Sequence, residues 1–527
     1  MTGSPIVDTT SGRLQGFTHA EHNVHVFMGI PYAMPPVGDR RYRPPEPYKP
    51  EGDPATVRQC LQAGRAAPQT QMPFDTLMSI QIDPDNQSED CLYINVWTPT
   101  VDPAAKLPVL FWIHTGACMS GCGDQSFWDG TNFARKDVVV VTFNYRLGAL
   151  GWMTLDHLSN DFDGSANYGL LDQIVAAEWV KDNIATFGGD PNNITGYGSS
   201  AGATCLMAML ISPRAGRFFE RVILQSPPMF HFSPRDWAKF KGDIFIRSMG
   251  ISPDQLDELR EVDVQTILDA QSFMTTWPNF LEGLAPVGPA GDDNKTLPSS
   301  LIEYYFHHPL PDHYKDLDII IGYTRDEFNF FFPFLPNFQE MDDTMFVRTY
   351  FAHVFGRKYA REAYEIYKSQ IVPPFSPPSE VARYMCSDVM CRISVLLTAE
   401  NLVKHGHKVH LYEWRYESND VENIIKAAHM VDAIFSWDNL HFWEGNPFLG
   451  PGDEYERDRI AKQVSQAIVA FANTGSPNHQ GIPHWPLYDV NERKAMIFWQ
   501  YHFVFSAGPD SGTSVRFRFL HLISIPQ

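Results

Sequence analysis

The sequence predicts an α/β fold in which a large, mostly parallel sheet is covered by helices on both faces. The first observation is a set of short apolar runs, bounded by Pro, Gly or Asn and typical of buried strands, at residues 110–113, 138–143, 222–224 and 319–321. The second is a set of helical patterns between these runs, such as 170–187. Alternating strands and helices are typical of parallel sheets, whose chemistry lies at the carboxyl ends of the strands.

Two of the predicted helices have an apolar face at steps of three and four residues. The face of the first consists of Leu170, Ile174, Ala177, Val180 and Ile184. The face of the second consists of Ile460, Val464, Ala467, Ile468 and Phe471. Gly475 follows the second pattern, and glycine at this position is a common helix stop.

The composition indicates an acidic globular protein. Of the 527 residues, 62 are Asp or Glu and 41 are Lys or Arg, so the formal net charge is −21. Hydrophobic residues make up 44% and charged residues 20%, which excludes a disordered chain. Because a surface this acidic repels phosphate backbones and anionic lipids, we expect no nucleic-acid partner.

The sequence also limits the expected location. No apolar run approaches the roughly 20 residues of a membrane-spanning helix, so no membrane span is expected. The first residues lack the basic and apolar regions of a signal peptide. The seven cysteines are sparse and odd in number, which is typical of a reducing compartment. We therefore expect a cytoplasmic protein with free thiols.

The sequence Gly198-Ser199-Ser200-Ala201-Gly202 is the strongest chemical signal. It follows the β-compatible Ile194-Thr195 and precedes an apolar helical run at 201–210, which predicts the strand–turn–helix of a nucleophile elbow. Such a turn exposes the Ser200 hydroxyl and leaves the Ala201 N–H free at the helix N-terminus. The alternative is a glycine-rich helix start with an inert serine.

A serine hydroxyl needs a base to become a good nucleophile, and the elbow fold supplies its partners in the order Ser, Asp or Glu, His. The predicted strand that begins at Asp318 leads to Asp326 and Glu327, at the carboxyl end of that strand. Ten histidines follow Glu327, and spacing alone does not choose among them. The identity of the acid and of the base is therefore not determined by spacing alone.

Nine ordered motifs carry a family resemblance. They are FMGIPYAMPPVG (27–38), SEDCLYINVW (88–97), NYRLG (144–148), NYGLLDQ (167–173), FGGDP (187–191), TRDEF (324–328), KAAHMVD (426–432), FANTGSP (471–477) and WPLY (485–488). This series resembles the type-B carboxylesterases, which include cholinesterases and bacterial para-nitrobenzyl esterases. The resemblance implies an α/β-hydrolase fold and a single domain over residues 1–527.

The resemblance also implies the chemistry. The catalytic triad would be Ser200, His429 and Glu327, with Glu327 favoured over Asp326 by the register of the motif. The oxyanion-hole donors would be the N–H groups of Gly116, Ala117 and Ala201. The reaction would be hydrolysis of a small-molecule carboxylic ester through an acyl-serine, with no metal or organic cofactor.

The sequence departs from the family at the oxyanion loop. The family pattern is His-Gly-Gly-Gly followed by an aromatic residue, whereas this chain has His114-Thr115-Gly116-Ala117-Cys118. The branched side chain of Thr115 restricts the backbone at a position where the family usually has glycine, and Cys118 is smaller than the usual aromatic residue. Ser199 replaces a common Glu beside the nucleophile. We expect these changes to reshape the substrate pocket.

Two further departures concern the segment before Cys91. Ala67 stands where the family has a cysteine, so Cys91 lacks its usual disulfide partner. Residues 73–90 contain no Trp and only Phe74 as an aromatic residue, so cation–π recognition of choline is not expected.

Aromatic residues are frequent near the expected pocket. Any single Phe is more often a core residue, but together they favour a hydrophobic or aromatic ester, such as a specialised natural product or a compound to be detoxified. The predicted pocket residues are Thr115, Cys118, Ser199, Phe230, Phe232, Trp277, Phe330 and Phe331.

Two other functions remain open from the sequence. The altered loop and Ser199 allow an acyltransferase or a cyclising enzyme, in which an alcohol or amine captures the same acyl-serine. A cholinesterase-like binding protein without catalysis is the second alternative, and the intact set of Ser200, Glu327 and His429 argues against it.

Overall fold

The computed structural model of the chain describes residues 4–507, except 79, 81, 229–231, 275–286, 292–294, 299–300, 336, 419–423, 451–452 and 500–502. The described strands are β1 (Ile6–Thr9), β2 (Gly12–Gln15), β3 (Phe17–His19), β4 (Val24–Pro31), β5 (Val57–Gln59), β6 (Tyr93–Thr98), β7 (Leu107–Ile113), β8 (Val139–Phe143), β9 (Gly189–Ser199), β10 (Arg221–Gln225), β11 (Asp318–Thr324), β12 (Lys408–Trp414), β13 (Lys494–Phe498) and β14 (Phe503–Ala507).

Eleven of the described strands form one mixed sheet. Their order is β14-β13-β12-β11-β10-β9-β7-β8-β6-β4-β3. The seven strands from β13 to β8 in this order pair in parallel, while β14 at one end and β6, β4 and β3 at the other pair antiparallel. Strands β1, β2 and β5 form a separate small sheet. The predicted large and mostly parallel sheet is therefore present.

Helices lie between the strands in the described part of the chain. They are α1 (Pro73–Leu77), α2 (Thr131–Ala134), α3 (Gly148–Trp152), α4 (Tyr168–Asn183), α5 (Ala201–Ile211), α6 (Arg235–Ser248), α7 (Val264–Met274), α8 (Leu301–His307), α9 (Asp343–Phe346), α10 (Ala352–Ile366), α11 (Pro378–Ser387), α12 (Ile393–Lys404), α13 (Val431–Ser436) and α14 (Glu454–Thr474). Among these described helices, none combines the length and apolar composition needed to cross a membrane.

The apolar runs of the sequence became the parallel centre of the sheet, as predicted. Strands β7, β8, β10 and β11 contain the four runs, except that β8 begins one residue later than predicted, at Val139, and the side chains of these strands are almost all buried. The second predicted helix is α14, and Gly475 ends it with a φ of +78°. The first is α4, which differs from the expectation: it is buried on nearly all sides rather than on one face, with Glu178 and Asp182 exposed.

The sheet brings the candidate residues to one edge. Strands β7, β9 and β11 lie close together in the sheet, with β10 between β9 and β11. His114 directly follows β7, Ser200 follows β9, and Glu327 lies three residues after β11. Because these strands are parallel, their carboxyl ends meet at the same edge of the sheet.

Candidate active site

Ser200 occupies the sharp turn between β9 and α5. Its φ of +55° and ψ of −129° are unusual for a residue with a side chain, and its N–H donates to the carbonyl of Gln225 on β10 at 2.9 Å. A Cβ at Gly202 would lie 2.1 Å from the Ile113 carbonyl oxygen, and a Cβ at Gly198 would lie 2.6 Å from the Gly202 backbone. The two glycines therefore let α5 pack closely against β7 and β9, and the predicted strand–turn–helix is present.

A continuous chain of hydrogen bonds joins Ser200, His429 and Glu327. The distance from Ser200 Oγ to His429 Nε2 is 2.8 Å, and that from His429 Nδ1 to Glu327 Oε2 is 2.6 Å. Ser200 is 8% exposed, whereas His429 and Glu327 are 2% and 0% exposed. The hydroxyl is therefore the most accessible end of the chain, and the carboxylate is its buried end.

The backbone fixes the two partners of Ser200. Glu327 begins a short 3₁₀ turn after β11, and its Oε1 accepts a hydrogen bond from the Thr324 N–H at 2.8 Å. His429 lies on the connection between β12 and α13, and its N–H donates to the Glu327 carbonyl at 3.4 Å. Both carboxylate oxygens of Glu327 thus accept hydrogen bonds, which fixes the orientation of the carboxylate and of the imidazole.

The carboxylate of Asp326, the neighbour of Glu327, has hydrogen-bond partners other than His429. Its Oδ2 accepts hydrogen bonds from Arg325 Nε at 3.0 Å and Nη2 at 2.6 Å. The same oxygen accepts from the Ala427 N–H at 3.3 Å, and the Asp326 N–H donates to the Ala427 carbonyl at 2.9 Å. Asp326 therefore ties its loop to the segment before His429, while Glu327 faces the imidazole.

A second buried carboxyl lies close to this chain. Tyr412 donates its hydroxyl to Asp432 Oδ2 at 2.5 Å, and the Ala433 N–H donates to Oδ1 at 2.9 Å. Burial, followed by the negative charge of Glu327, raises the pKa of Asp432 to about 6. Asp432 is therefore held by its own hydrogen bonds, outside the chain that joins Ser200 to Glu327.

The loop after β7 is held in a strained conformation. Gly116, Ala117 and Cys118 have φ values of +110°, +57° and +59°. The last two are costly for residues with a side chain, so the loop depends on its surroundings. The His114 ring stacks on Tyr145 with centroids 4.4 Å apart, and His114 Nδ1 lies 2.8 Å from the Thr115 carbonyl. Burial lowers the pKa of His114 to about 4, so a neutral ring donates this bond.

Ser200 opens into a narrow cavity of about 20 Å³. Ala117 of the strained loop and His429 lie on its wall, and most of the remaining lining is apolar. A cavity of this volume has room for about one water molecule, so binding of an ester requires lining side chains to move. The described residues that line the cavity are Phe74, Asp75, Met78, Ile80, Thr115, Gly116, Ala117, Ser120, Gly121, Ser200, Pro228, Phe330, Phe331, Met390, His429 and Met430.

Three predicted pocket residues line the cavity. They are Thr115, Phe330 and Phe331. The ring centroids of Phe330 and Phe331 lie 5.6 and 6.3 Å from that of His429, so these two rings flank the imidazole.

Other predicted pocket residues lie away from this described lining. Cys118 is buried, and its Sγ lies 3.7 Å from Cys205 Sγ on α5. Ser199 is buried and donates its hydroxyl to Met430 Sδ at 3.4 Å. Phe232 is buried in the apolar core. The predictions for Phe230 and Trp277 lie outside the described residues.

Four residues form a part of the cavity wall that the sequence did not reveal: Phe74, Asp75, Met78 and Ile80. Phe74 packs on Phe330 with ring centroids 5.8 Å apart, and Asp75 is a buried acid that accepts a hydrogen bond from Ser120, in the connection after β7. Phe74 was visible in the sequence only as the lone aromatic of its region. Asp75 had no sequence signal, since its contact with Ser120 spans 45 positions of the chain.

Within the described residues, one group of side chains has the proximity of metal ligands. Ligand atoms of Glu327, Cys391 and His429 lie within 4.8 Å of one another. The hydrogen bond between Glu327 and His429 accounts for most of this proximity. All seven cysteines are unbridged, including Cys91, and Cys118 Sγ lies 3.7 Å from Cys205 Sγ.

The fold and the site together define an α/β-hydrolase with a serine, a histidine and a glutamate in one hydrogen-bonded chain. Residues 3–502 match the profile of the carboxylesterase family, and the chain belongs to this family. It is an ester-hydrolysing enzyme. The acyltransferase and non-catalytic alternatives are not favoured, because the similar proteins are named as hydrolases and esterases.

Similar proteins match the chain over most of its length. Phenmedipham hydrolase of Pseudarthrobacter oxydans is 31% identical over 500 residues, which cover 94% of this chain and 95% of that protein. Para-nitrobenzyl esterase of Bacillus subtilis (strain 168) is 31% identical over 496 residues, which cover 93% and 94%. The solved structure of a PNB esterase has a TM-score of 0.81 at 29% identity and covers 98% of this chain and 100% of its own.

Proposed function

We propose that Ser200, His429 and Glu327 are the catalytic triad of this esterase. The observation that carries the proposal is the unbroken chain of short hydrogen bonds from the accessible Ser200 hydroxyl to the buried Glu327 carboxylate. His429 Nε2 accepts the Ser200 proton as Oγ attacks the ester carbonyl carbon. Glu327 keeps the other imidazole proton on Nδ1 and stabilises the imidazolium that forms.

The oxyanion of the tetrahedral intermediate accepts hydrogen bonds from the N–H groups of Gly116, Ala117 and Ala201. The intermediate then collapses, and His429 returns the proton to the departing alcohol. Water, deprotonated by His429, hydrolyses the acyl-Ser200 in the same way. Two features support this assignment: Gly116 and Ala117 line the cavity with Ser200, and Ala201 is the first residue of α5.

The mainly apolar lining favours a hydrophobic or aromatic ester, a specialised natural product or a compound to be detoxified. Phe330 and Phe331 beside His429 would contact the ester next to the reacting carbonyl. A continuous apolar core from Val7 to Phe498 supports a single hydrolase domain. The unbridged cysteines support a cytoplasmic location.

A fluorophosphonate is expected to label Ser200 with one equivalent. Only an activated hydroxyl attacks phosphorus readily and expels fluoride. Ser199 is the internal comparison, because it is buried one residue away and its hydroxyl donates to Met430 rather than to a base. Peptide mass spectrometry locates the adduct. An adduct on Ser199, an adduct on Ser226, the buried serine that directly follows β10, or no adduct would contradict the assignment.

Thr115→Gly is expected to raise turnover of small activated esters several-fold. Thr115 is stiff at its branched Cβ and lines the cavity, so it limits how the Gly116 and Ala117 N–H groups turn toward the oxyanion. The measurement is kcat/KM on short-acyl and on bulky aromatic para-nitrophenyl esters. Thr115→Ser is the matched control, since it keeps the hydroxyl and removes the methyl group. Equal losses on all esters for Thr115→Gly would instead mean that Thr115 contributes directly.

A further inference from the structure

Asp75 and Ser120 connect two parts of the chain that meet at the cavity. Ser120 Oγ donates to Asp75 Oδ1 at 3.0 Å, and both residues are buried. Asp75 Oδ2 accepts from the Met72 N–H at 2.7 Å, and the Asp75 carbonyl accepts from the Ile80 N–H at 2.7 Å. One oxygen of the Asp75 carboxylate, Oδ2, is thus bound within its own segment of the chain. The other, Oδ1, accepts the hydrogen bond from the Ser120 hydroxyl.

Ser120 is in turn part of the strained oxyanion loop. Its N–H donates to the Gly116 carbonyl at 2.9 Å, next to the Met119 N–H that donates to the same oxygen at 2.8 Å. A Cβ at Gly116 would lie 2.0 Å from the Ser120 carbonyl oxygen, so the turn from Gly116 to Ser120 is very tight. Fixing Ser120 therefore fixes the peptide group of Gly116, whose orientation determines where the next N–H points.

We propose that Asp75 is a positioning residue for the oxyanion hole, which it holds through Ser120. This inference rests on the proposed function of the Gly116 and Ala117 N–H groups. A strained loop keeps its conformation only if its surroundings determine it, and Ala117 with a φ of +57° needs such support. Asp75 supplies this support from a separate segment of the chain that lines the same cavity as Thr115 and Ser200.

A second pair of hydrogen bonds joins the chain just before Asp75 to the oxyanion loop. Gln69 Oε1 accepts from the Gly121 N–H at 2.8 Å, and Gln69 Nε2 donates to the Gly121 carbonyl at 3.1 Å. Gln69 therefore holds Gly121, the residue directly after the Ser120 that Asp75 holds.

The ionised form of Asp75 carries a cost for folding. Burial raises the pKa of Asp75 to about 6, although the hydrogen bonds from Met72 and Ser120 oppose this shift. At pH 8 the group is ionised, and a raised carboxyl pKa in the folded state means that ionisation disfavours folding. Removing the charge is therefore expected to leave the melting temperature unchanged or higher. A residue kept only for stability would show the opposite behaviour.

The test is a double-mutant cycle at pH 8 with Asp75→Asn, Ser120→Ala and the combined variant. Kinetics on para-nitrophenyl butanoate give kcat and KM. The inhibition constant of a trifluoromethyl ketone reports the oxyanion hole separately, because Ser200 adds to the ketone carbonyl and creates an oxyanion there. Asp85→Asn is the matched control, since it removes the same charge from an exposed position ten residues after Asp75.

We expect each single variant to lower kcat about tenfold, less than the 10²–10³ of a donor removed outright. The affinity for the ketone should fall by a similar factor, and KM should stay within about twofold. The combined variant should be no worse than either single variant, because both changes act on one contact: Asp75→Asn replaces its charged acceptor by a neutral amide, and Ser120→Ala removes its hydroxyl. Asp85→Asn should match the wild type.

Wild-type kcat and ketone affinity in Asp75→Asn would overturn the inference, and so would additive losses or a change confined to KM. A melting temperature that falls in parallel with activity would also overturn it, as this would mark a purely structural role. Failure of the proposed function is distinguishable, because the wild type itself would then neither turn over esters nor bind the ketone, and the inference would fall with it.

Discussion

Ser200→Ala and His429→Ala are each expected to lower kcat by about 10⁴-fold or more. Without the Ser200 hydroxyl no acyl-enzyme forms, and without His429 the hydroxyl loses the imidazole that lies 2.8 Å away and takes its proton. The measurement is kcat on a para-nitrophenyl ester, with protein purified free of host esterases. The residual rate should be that of an enzyme that still binds the ester and offers oxyanion donors.

The double variant of Ser200 and His429 should be little worse than either single variant, because the two residues act as one unit. His441→Ala is the control for histidine removal, since His441 is exposed. It should retain wild-type kcat. If instead the losses at Ser200 and His429 multiplied, the two side chains would act independently and one role would be wrong. Wild-type far-UV circular dichroism of each variant excludes unfolding as the cause.

The parallel centre of the sheet could be predicted from the sequence because its strands are buried on both faces. Such strands are continuous apolar runs, as in Val139–Phe143, and these are visible without any partner. The antiparallel strands at one end were not predicted. Val24–Pro31 is interrupted by Gly29 and by a register shift against β6, so it shows neither a continuous run nor a clean alternation.

The nucleophile could be predicted because its signal is local. Gly198 and Gly202 have neighbours so close that any side chain would collide with backbone, and this requirement appears directly as a motif. His429 and Glu327 needed the family resemblance, since their contacts with each other and with Ser200 span more than 100 positions of the chain. The spacing of residues along the sequence carries no information about such long-range contacts.

The cavity lining was the least predictable part. Cys118 was expected to shape the cavity mouth because the family has an aromatic residue at this position, but in the structure its thiol approaches Cys205 beneath the loop. The wall around Asp75 belongs to a segment that shows no catalytic motif in the sequence. Pockets depend on how distant segments pack, and the direction of a side chain in a strained loop depends on its φ and ψ rather than on its residue type.

Glu327→Gln is expected to lower kcat by about 10³–10⁴-fold. In the native site both carboxylate oxygens accept hydrogen bonds, one from the Thr324 N–H at 2.8 Å and one from His429 Nδ1 at 2.6 Å. Glutamine offers only one such oxygen. If that oxygen accepts from Thr324, the amide NH₂ faces His429 Nδ1 and drives the proton to Nε2, where it blocks acceptance of the Ser200 proton. Steady-state kcat on a para-nitrophenyl ester measures the loss.

Asp326→Asn is the matched control, because it makes the same chemical change one residue away. Asp326 accepts hydrogen bonds from Arg325 and from the Ala427 N–H. This variant is therefore expected to weaken the contact between the loop after β11 and the segment before His429, and to lower kcat by less than about tenfold. A mild Glu327→Gln together with a severe Asp326→Asn would move the acid role to Asp326. The Glu327 variant should also lose the buried negative charge that stabilises the imidazolium, so fluorophosphonate labelling of Ser200 should slow along with ester turnover. Undiminished labelling would mean that Glu327 does not act through His429.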